Sequence, residues 1–264
     1  MRFIKSTILI CSFVFFSSQS FAWWGVTGHR VVGEIAQSYL SSSAKKAIAD
    51  ILGNESLAMA SNWGDFIKSD STFNYLNRWH YVNLVKGLTL DQVAGKLEQD
   101  TTHNLYNRIN FLVAELKRKD IDIAMKQMYL RLLIHFIGDL HQPLHVGRPE
   151  DLGGNRIKVQ WFNEPTNLHS IWDEKLPEFQ RLSYTEYARS INFTTKKQRK
   201  EWQNSSLSTW FFESYQIAQG LYDEIAQPDQ KLSYRYNFDH LETMNQQMLK
   251  GGVRLAGILN EIFD

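Results

Sequence analysis

Imidazole and carboxylate side chains recur in this sequence at spacings that could hold metal ions. The densest run is His135-Phe-Ile-Gly-Asp139-Leu-His141-Gln-Pro-Leu-His145. His135 and Asp139 are four residues apart, so on a helix both project from one face. Pro143 ends or kinks that helix, which lets the chain swing His145 back toward the same region. His169 and Asp173 repeat the four-residue spacing. Imidazole and carboxylate are the usual non-thiol ligands of zinc. One such pair alone reads as a surface ion pair. Two pairs and a His-Gln-Pro-x-His turn within about 40 residues outweigh that reading and point to more than one ion.

The elements that must position these groups are mostly helices. Val31 to Leu40 carries apolar residues at helical spacing. Ser43 is a candidate cap for a second helix running to about Leu52, where Gly53-Asn54 supplies a stop. Asp91 to Glu98 is a short candidate, and Leu105 to Leu116 and Met125 to about Leu140 read as long, mostly buried helices. Leu207 to Ile225 and Phe238 to Ile262 form a C-terminal pair, the second with a candidate break at Gly251-Gly252. Only Arg156 to Phe162 alternates like a strand, after Gly153-Gly154. The fold class expected is all-α, a single compact multi-helix domain with one small β hairpin near residues 153–162.

Length and composition agree with that class. The chain has 264 residues, 43% of them hydrophobic, enough for one sizeable core. Residues 1–22 read as a secretory signal peptide, with Arg2 and Lys5, an apolar stretch from Ile8 to Phe16, and small residues at Ser20 and Ala22. That apolar stretch is too short for a comfortable membrane span, and no later segment qualifies. The domain proper is then 23–264, and the expected localisation is secreted or periplasmic. The one cysteine, Cys11, lies inside the signal, so the processed chain has no disulfide and bound metal is a candidate staple. Without Arg2 and Lys5 the charge balance is 27 basic against 28 acidic residues. Many duplex-binding proteins carry a strong basic footprint; this chain does not, so nucleic acid would have to be gripped locally.

Six stretches together resemble the S1/P1 nuclease family of zinc-dependent, single-strand-preferring nucleases. They are Trp24-Gly-Val-Thr-Gly-His29, Asn62-Trp-Gly-Asp65, Trp79-His80-Tyr81, the His135 to His145 run, Gly153-Gly-Asn155, and Asn167-Leu-His169-Ser-Ile-Trp-Asp173. They occur in the family's order, up to about residue 173. The resemblance implies three Zn2+ ions. One is expected on Asp65, His80, His135 and Asp139. A second is expected on His29, Asp139 and the α-amino group and carbonyl of a mature N-terminal Trp24, with Asp139 as bridge. The third is expected on His145, His169 and Asp173. Signal rules favour a chain starting at Trp23, whereas the family spacing to His29 favours Trp24; both starts stand at this point.

The resemblance also implies hydrolysis of single-stranded DNA and RNA to 5′-phosphate products, with 3′-nucleotidase activity, by zinc-activated water. Asp65 and Asp139 are the expected catalytic carboxylates. Lys68, three residues after Asp65, is either a phosphate-directed cation or a solvated helix lysine. Tyr81 and Asn83 flank His80, where the family has a stacking ring and a group reading the base edge; Tyr81 as a core aromatic is the competing reading. The family often has aspartate at the position of Asn83, and an amide both donates and accepts, so base preference is expected to differ. Asn155 either lines the site or shapes the turn after the two glycines. Trp63, Trp79, Trp161 and Trp172 read as packing around the cage. His141 is a candidate outer support, and His103 and His240 are surface or satisfied core residues. The expected partners are single-stranded DNA and RNA and nucleotides as substrates, with no membrane, and the protein is expected to be a monomer. Two other functions share much of this pattern. A zinc-dependent phospholipase C would have a similar cage, but that branch tends to glutamate where Asp173 stands. An exported, non-catalytic zinc-binding protein would normally close its sites with four ligands, whereas the third set here has three.

Overall fold

The computed structural model describes residues 25–264, so the signal segment, Trp23 and Trp24 lie outside the described residues. The fold class is as expected: helices make up most of the chain, with one small sheet. The axis is the helix Ile123–His141, from here the central helix. Asp122 caps it by accepting from the Ala124 and Met125 main-chain nitrogens. Its second half, Leu132 to His141, is buried without interruption, which is why the sequence there loses its polar face.

The N-terminal helix, Val26–Tyr39, and the C-terminal helix, Tyr234–Phe263, pack against the central helix and against each other. The C-terminal helix runs straight through Gly251 and Gly252, so the candidate break there is not observed. The glycines serve close approach. A Cβ on Gly252 would lie 2.5 Å from Ile35 Cβ, and one on Gly33 would lie 2.7 Å from the Leu57 carbonyl oxygen. The second helix, Ser42–Leu52, starts two residues before expectation. Ser41, not Ser43, caps it by accepting from the Ala44 nitrogen, because Ser43 already lies within the first turn.

The end of the central helix is held by side chains from two other helices. Ser214, on Leu207–Glu224, donates to the Leu140 carbonyl at 2.6 Å. Gln247, on the C-terminal helix, donates to the His141 carbonyl at 2.9 Å. These bonds satisfy carbonyls that a helix end leaves without intrahelical partners. Arg254, 1% exposed, donates from Nη1 to His141 Nε2 at 3.0 Å and from Nη2 to both Glu213 carboxylate oxygens at 2.9 Å. A buried guanidinium is tolerable only with such a partner.

The hairpin lies slightly C-terminal to its expected position. Strand β1 is Lys158–Trp161 and β2 is Glu164–Asn167, paired antiparallel with Val159 opposite Thr166. Residues 153–157 form the turn leading into β1, with Gly153 and Gly154 at φ 64° and 83°. A third strand, β3 (Gln230–Leu232), adds parallel to β1 and was not legible, since three residues carry no periodicity. No helix among the described residues is long and apolar enough to cross a membrane.

These packing contacts predict opposite outcomes for two glycines. Gly252→Ala forces the N- and C-terminal helices apart and lowers stability by about 1–3 kcal/mol. Gly95, inside the helix Leu90–Gln99 with open space around its Cβ position, gains about 0.5–1 kcal/mol as alanine. Thermal or denaturant unfolding of the two variants checks both signs.

Candidate metal centre

Helix geometry brings His135 and Asp139 to one face, and several short segments and the N-terminal helix bring the rest. Asp65 sits on the one-turn helix Trp63–Phe66, followed by the turn Ile67–Ser69 that carries Lys68. His80 ends the 3-10 stretch Ser71–His80. Pro143–Val146 forms a further 3-10 turn that returns His145 to the cluster, as Pro143 requires. His169 lies on Leu168–Ser170 and Asp173 on the widened π turn Ile171–Lys175. His29 projects from the N-terminal helix.

Three groups of ligand-type atoms result. His80, His135 and Asp139 form a triangle. His80 Nδ1 is 2.9 Å from Asp139 Oδ2 and 3.0 Å from His135 Nε2, and His135 Nε2 is 3.2 Å from Asp139 Oδ2. Tetrahedral ligands around an ion stand about 3.3 Å apart. His29, Asp65 and His135 make a second group within 4.8 Å of one another. His29 Nε2 faces both carboxylates, 3.5 Å from Asp139 Oδ1 and 3.9 Å from Asp65 Oδ2. The two oxygens of Asp139 therefore face different partners, as a bridging carboxylate must. His145, His169 and Asp173 form the third group, with His169 Nε2 3.0 Å and His145 Nε2 3.6 Å from the Asp173 oxygens. Trp24, the remaining expected ligand, lies outside the described residues. Its neighbour Gly25 donates its main-chain N–H to the Asp173 carbonyl at 2.5 Å.

Backbone carbonyls select the tautomers. His135 Nδ1 donates to Ser61 O at 2.7 Å, His145 Nδ1 to His80 O at 2.8 Å, and His169 Nδ1 to Gly153 O at 2.7 Å. A carbonyl can only accept, so in the neutral rings Nε2 presents its lone pair to the cluster. Two glycines give the rings room: a Cβ on Gly64 would lie 2.6 Å from His135 Cδ2, and one on Gly138 2.5 Å from His29 Nδ1.

Electrostatics favour cations here. Burial lowers His29 to about 3, reinforced by His135, and lowers His80 to about 4, so both imidazoles are neutral at pH 7. For His145 burial acts downward too, but Asp139 and then Asp173 outweigh it and raise the ring to about 9. Burial likewise pushes Asp139 and Asp173 upward, yet neighbouring imidazoles, led by His135 and His169 respectively, hold both below the usual carboxylate range. Carboxylates that favour a proton on His145 favour any cation in its place. Asp139 Oδ1, His145 Nε2 and Asp173 Oδ2 are buried with no hydrogen-bond partner among the described residues. Such atoms are costly unless something cationic compensates them. Donor set, spacing and orphaned atoms all fit bound divalent metal.

Lys68 is not a solvated helix lysine. Its side chain is 12% exposed, and Nζ donates to Asp65 Oδ1 at 2.7 Å. Burial lowers its ammonium to about 8 against the pull of Asp65 and Asp139. Residues 81–84 run extended beside the His145 turn, with Val82 N bonded to His145 O and Leu84 N to Gly147 O, both at 2.8 Å. Val82 and Leu84 are buried, so Tyr81 and Asn83, both half-buried, take the other face and Tyr81 is not a core aromatic. Asn155 donates to the Leu152 carbonyl at 2.9 Å and so shapes the turn. Trp79, Trp161 and Trp172 are buried, and Trp63 packs edge-on against Phe73. His141 turns away from the cluster, donating from Nδ1 to Ile137 O and accepting from Arg254. His240 is buried against Glu224, and exposed His103 meets Trp79 edge-on.

Gln142 went unread in the sequence. It is 1% exposed, its side-chain nitrogen donates to Asp173 Oδ1, and its oxygen accepts from Leu144 N at 2.5 Å. A glutamine before proline looks like turn filler; only the fold brings Asp173, 31 residues on, against it.

Comparison with known proteins converges on one family. The S1/P1 Nuclease family profile matches residues 24–264. Endonuclease 3 of Arabidopsis thaliana is 30% identical, covering 91% of this chain and 89% of the relative. Nuclease S1 of Aspergillus oryzae (strain ATCC 42149 / RIB 40) is 33% identical over 59% of this chain and 55% of its own length. Nuclease P1 of Penicillium citrinum is 29% identical over 59% of this chain and 58% of its own.

The Gln142 contact yields a prediction. Gln142→Ala frees Asp173 to rotate and weakens divalent-metal binding by about 10- to 100-fold. Metal titration against a competing chelator measures it; binding equal to wild type would show that Gln142 does not hold Asp173 in place.

Proposed function

The chain belongs to the S1/P1 nuclease family, and from that membership we propose a zinc-dependent nuclease that cuts single-stranded DNA and RNA with three Zn2+ ions. The coarse activity, endonucleolytic hydrolysis of nucleic acid, follows from the family. The observation that carries the finer reading is the convergence of five imidazoles and three carboxylates, with one ammonium, Lys68, beside them among the described residues. Asp65, His80, His135 and Asp139 would hold one ion. His29, Asp139 and the amine and carbonyl of Trp24 would hold a second. His145, His169 and Asp173 would hold the third. Bound there, divalent zinc supplies Lewis acidity and makes water a competent nucleophile near neutral pH.

The chain's own groups do the rest. Asp139 keeps two clusters in register through its two oxygens. Asp65 accepts a hydrogen from the attacking water and orients it. Lys68 holds a proton at Nζ and donates it in a hydrogen bond to a phosphate oxygen, where charge grows in the transition state. Tyr81 offers its ring to a base and Asn83 offers an amide to a base edge; Asn155 keeps the neighbouring loop in shape. Stacking on Tyr81 needs a base already out of a duplex, which favours single strands without a basic surface. Scission on the 3′-oxygen side leaves 5′-phosphate products, and a 3′-nucleotide presents the same bond, which accounts for 3′-nucleotidase activity. The support for Trp24 over Trp23 as the first residue is that the amine ligand needs a fixed spacing to His29. An α-amino group loses its proton near pH 7.7–8, roughly, so it is available to a metal once the signal peptide 1–22 and Trp23 are gone. The processed chain is then a secreted or periplasmic monomer.

Metal analysis alongside cleavage of matched single-stranded and duplex substrates tests the reading. Asp139→Ala is expected to shed zinc and to reduce turnover by roughly a thousandfold. Near-normal turnover in that variant would overturn the assignment. Tyr81→Ala raises KM for a single strand by about 5- to 150-fold, the equivalent of ~1–3 kcal/mol of stacking. N-terminal sequencing of the exported protein reads the first residue directly.

A further inference from the structure

A cavity of about 360 Å³ lies beside the loop that follows His145. Arg148, Arg156, Lys158 and Tyr222 line it, with Ile225 and Pro228, and no carboxylate is among its lining residues. Arg148 is held in place. Its guanidinium stacks 4.1 Å over the Tyr222 ring, and Nε and Nη2 donate to Gln219 Oε1 at 3.2 and 3.0 Å. Asp223 Oδ1 comes within 3.8 Å of Arg148, but that side chain is 59% exposed and pairs with Lys86 at 2.6 Å, so it neutralises little. Arg156 makes one side-chain hydrogen bond, to the Glu150 carbonyl at 3.1 Å, and pairs with no carboxylate among the described residues. The Lys158 ammonium has neither a hydrogen bond nor an ion pair among them.

The loop is tied down by hydrogen bonds and touches the metal centre. Asp151 Oδ1 accepts from Gly154 N at 2.7 Å and from the Tyr222 hydroxyl at 3.1 Å, and Gly153 N donates to Arg148 O at 3.0 Å. The Gly153 carbonyl is the acceptor that fixes His169. The loop 148–156 thus touches His169 of the third ligand group and carries Arg148 and Arg156, with Lys158 following at the start of β1. The net charge of the chain is close to zero, so a polyanion must find its grip in such local clusters.

We propose that this cavity binds a backbone phosphate of the single-stranded substrate beyond the scissile one, so that Arg148, Arg156 and Lys158 form a strand-holding subsite. The inference rests on the nuclease reading. The cavity exceeds what a phosphate ion fills, and its apolar rim at Ile225 and Pro228 accommodates the attached sugar. The cations lower KM for longer strands and leave the chemistry at the cluster untouched.

The test uses the zinc-loaded protein and R156A/K158A, which alters two exposed side chains. Equal Tm values and zinc contents establish that variant and wild type are comparably folded. Anisotropy with a phosphorothioate-protected thymidylate 12-mer reads strand binding without turnover. Kd is expected to rise about tenfold at about 0.1 M salt, and the slope of log Kd against log salt to fall by about 0.7, the value for one single-strand phosphate no longer neutralised. Hydrolysis of a dinucleotide, which has no phosphate beyond the scissile one, changes less than about twofold. Unchanged 12-mer binding overturns the proposal, as does an equal loss on dinucleotide and 12-mer. A change confined to inhibition by inorganic phosphate would assign the cavity to free phosphate and overturn the strand assignment. Wild type that cleaves neither substrate would instead defeat the nuclease reading, whatever the binding shows.

Discussion

The structure depends on one electrostatic constraint: Asp139 and Asp173 are fully buried, and Asp65 partly so, at the meeting point of five imidazoles. Buried carboxylates are tolerated only when cations face them. Lys68 supplies one positive charge, and protons on the imidazoles supply others only where the carboxylates raise their affinity, as at His145. His29 and His80 are pushed toward neutrality by burial, and neutral imidazole is the form a metal ion requires. The protein therefore holds a site that is electrostatically incomplete as a set of side chains. Divalent ions complete it without the steric demand of further basic residues.

Much of the remaining architecture keeps that incompleteness from relaxing. Displacing Asp139 along with its backbone would require the central helix to shift, and the end of that helix is fixed by Ser214, Gln247 and Arg254. Rotating the imidazoles would break hydrogen bonds from Nδ1 to the carbonyls of Ser61, His80 and Gly153. One of those acceptors, His80 O, belongs to a cluster residue, so the first and third groups are mechanically linked. Gly64 and Gly138 bring neighbouring backbone against the rings. Rigidity of this kind is what allows like charges to be held together before an ion arrives.

The surface around the site is organised differently. Tyr81 and Asn83 owe their outward direction to an extended segment whose alternate residues, Val82 and Leu84, are buried. The cation-lined cavity owes its shape to turns in the loop 148–156 and to the Tyr222 ring. Both features lie on chain that also contacts a ligand group, so a substrate held at either, as proposed, would be registered against the cluster. A nearly neutral protein can thereby handle a polyanion, since screening leaves short-range contacts as the effective ones.

By itself the sequence determined the all-α class, the long helices, and which histidines and aspartates differ from ordinary surface residues. Those features are local: apolar spacing, four-residue ligand spacing and a proline after a helix are written along the chain. The same locality explains the errors at Ser43 and Gly251-Gly252, where the chemistry of a cap or a breaker was visible but its partner was not. Ser41 takes the cap because the helix begins there, and the paired glycines lie inside a helix that packs closely, Gly252 against Ile35 and Gly251 against Val32 and His141. Only the tertiary structure decided that Gln142 touches Asp173, that His141 faces Arg254 rather than the cluster, and that Lys68 is partly buried beside Asp65. Each of these joins a side chain to a direction in space, and direction is fixed by packing between segments whose separation in sequence carries no signal of their approach.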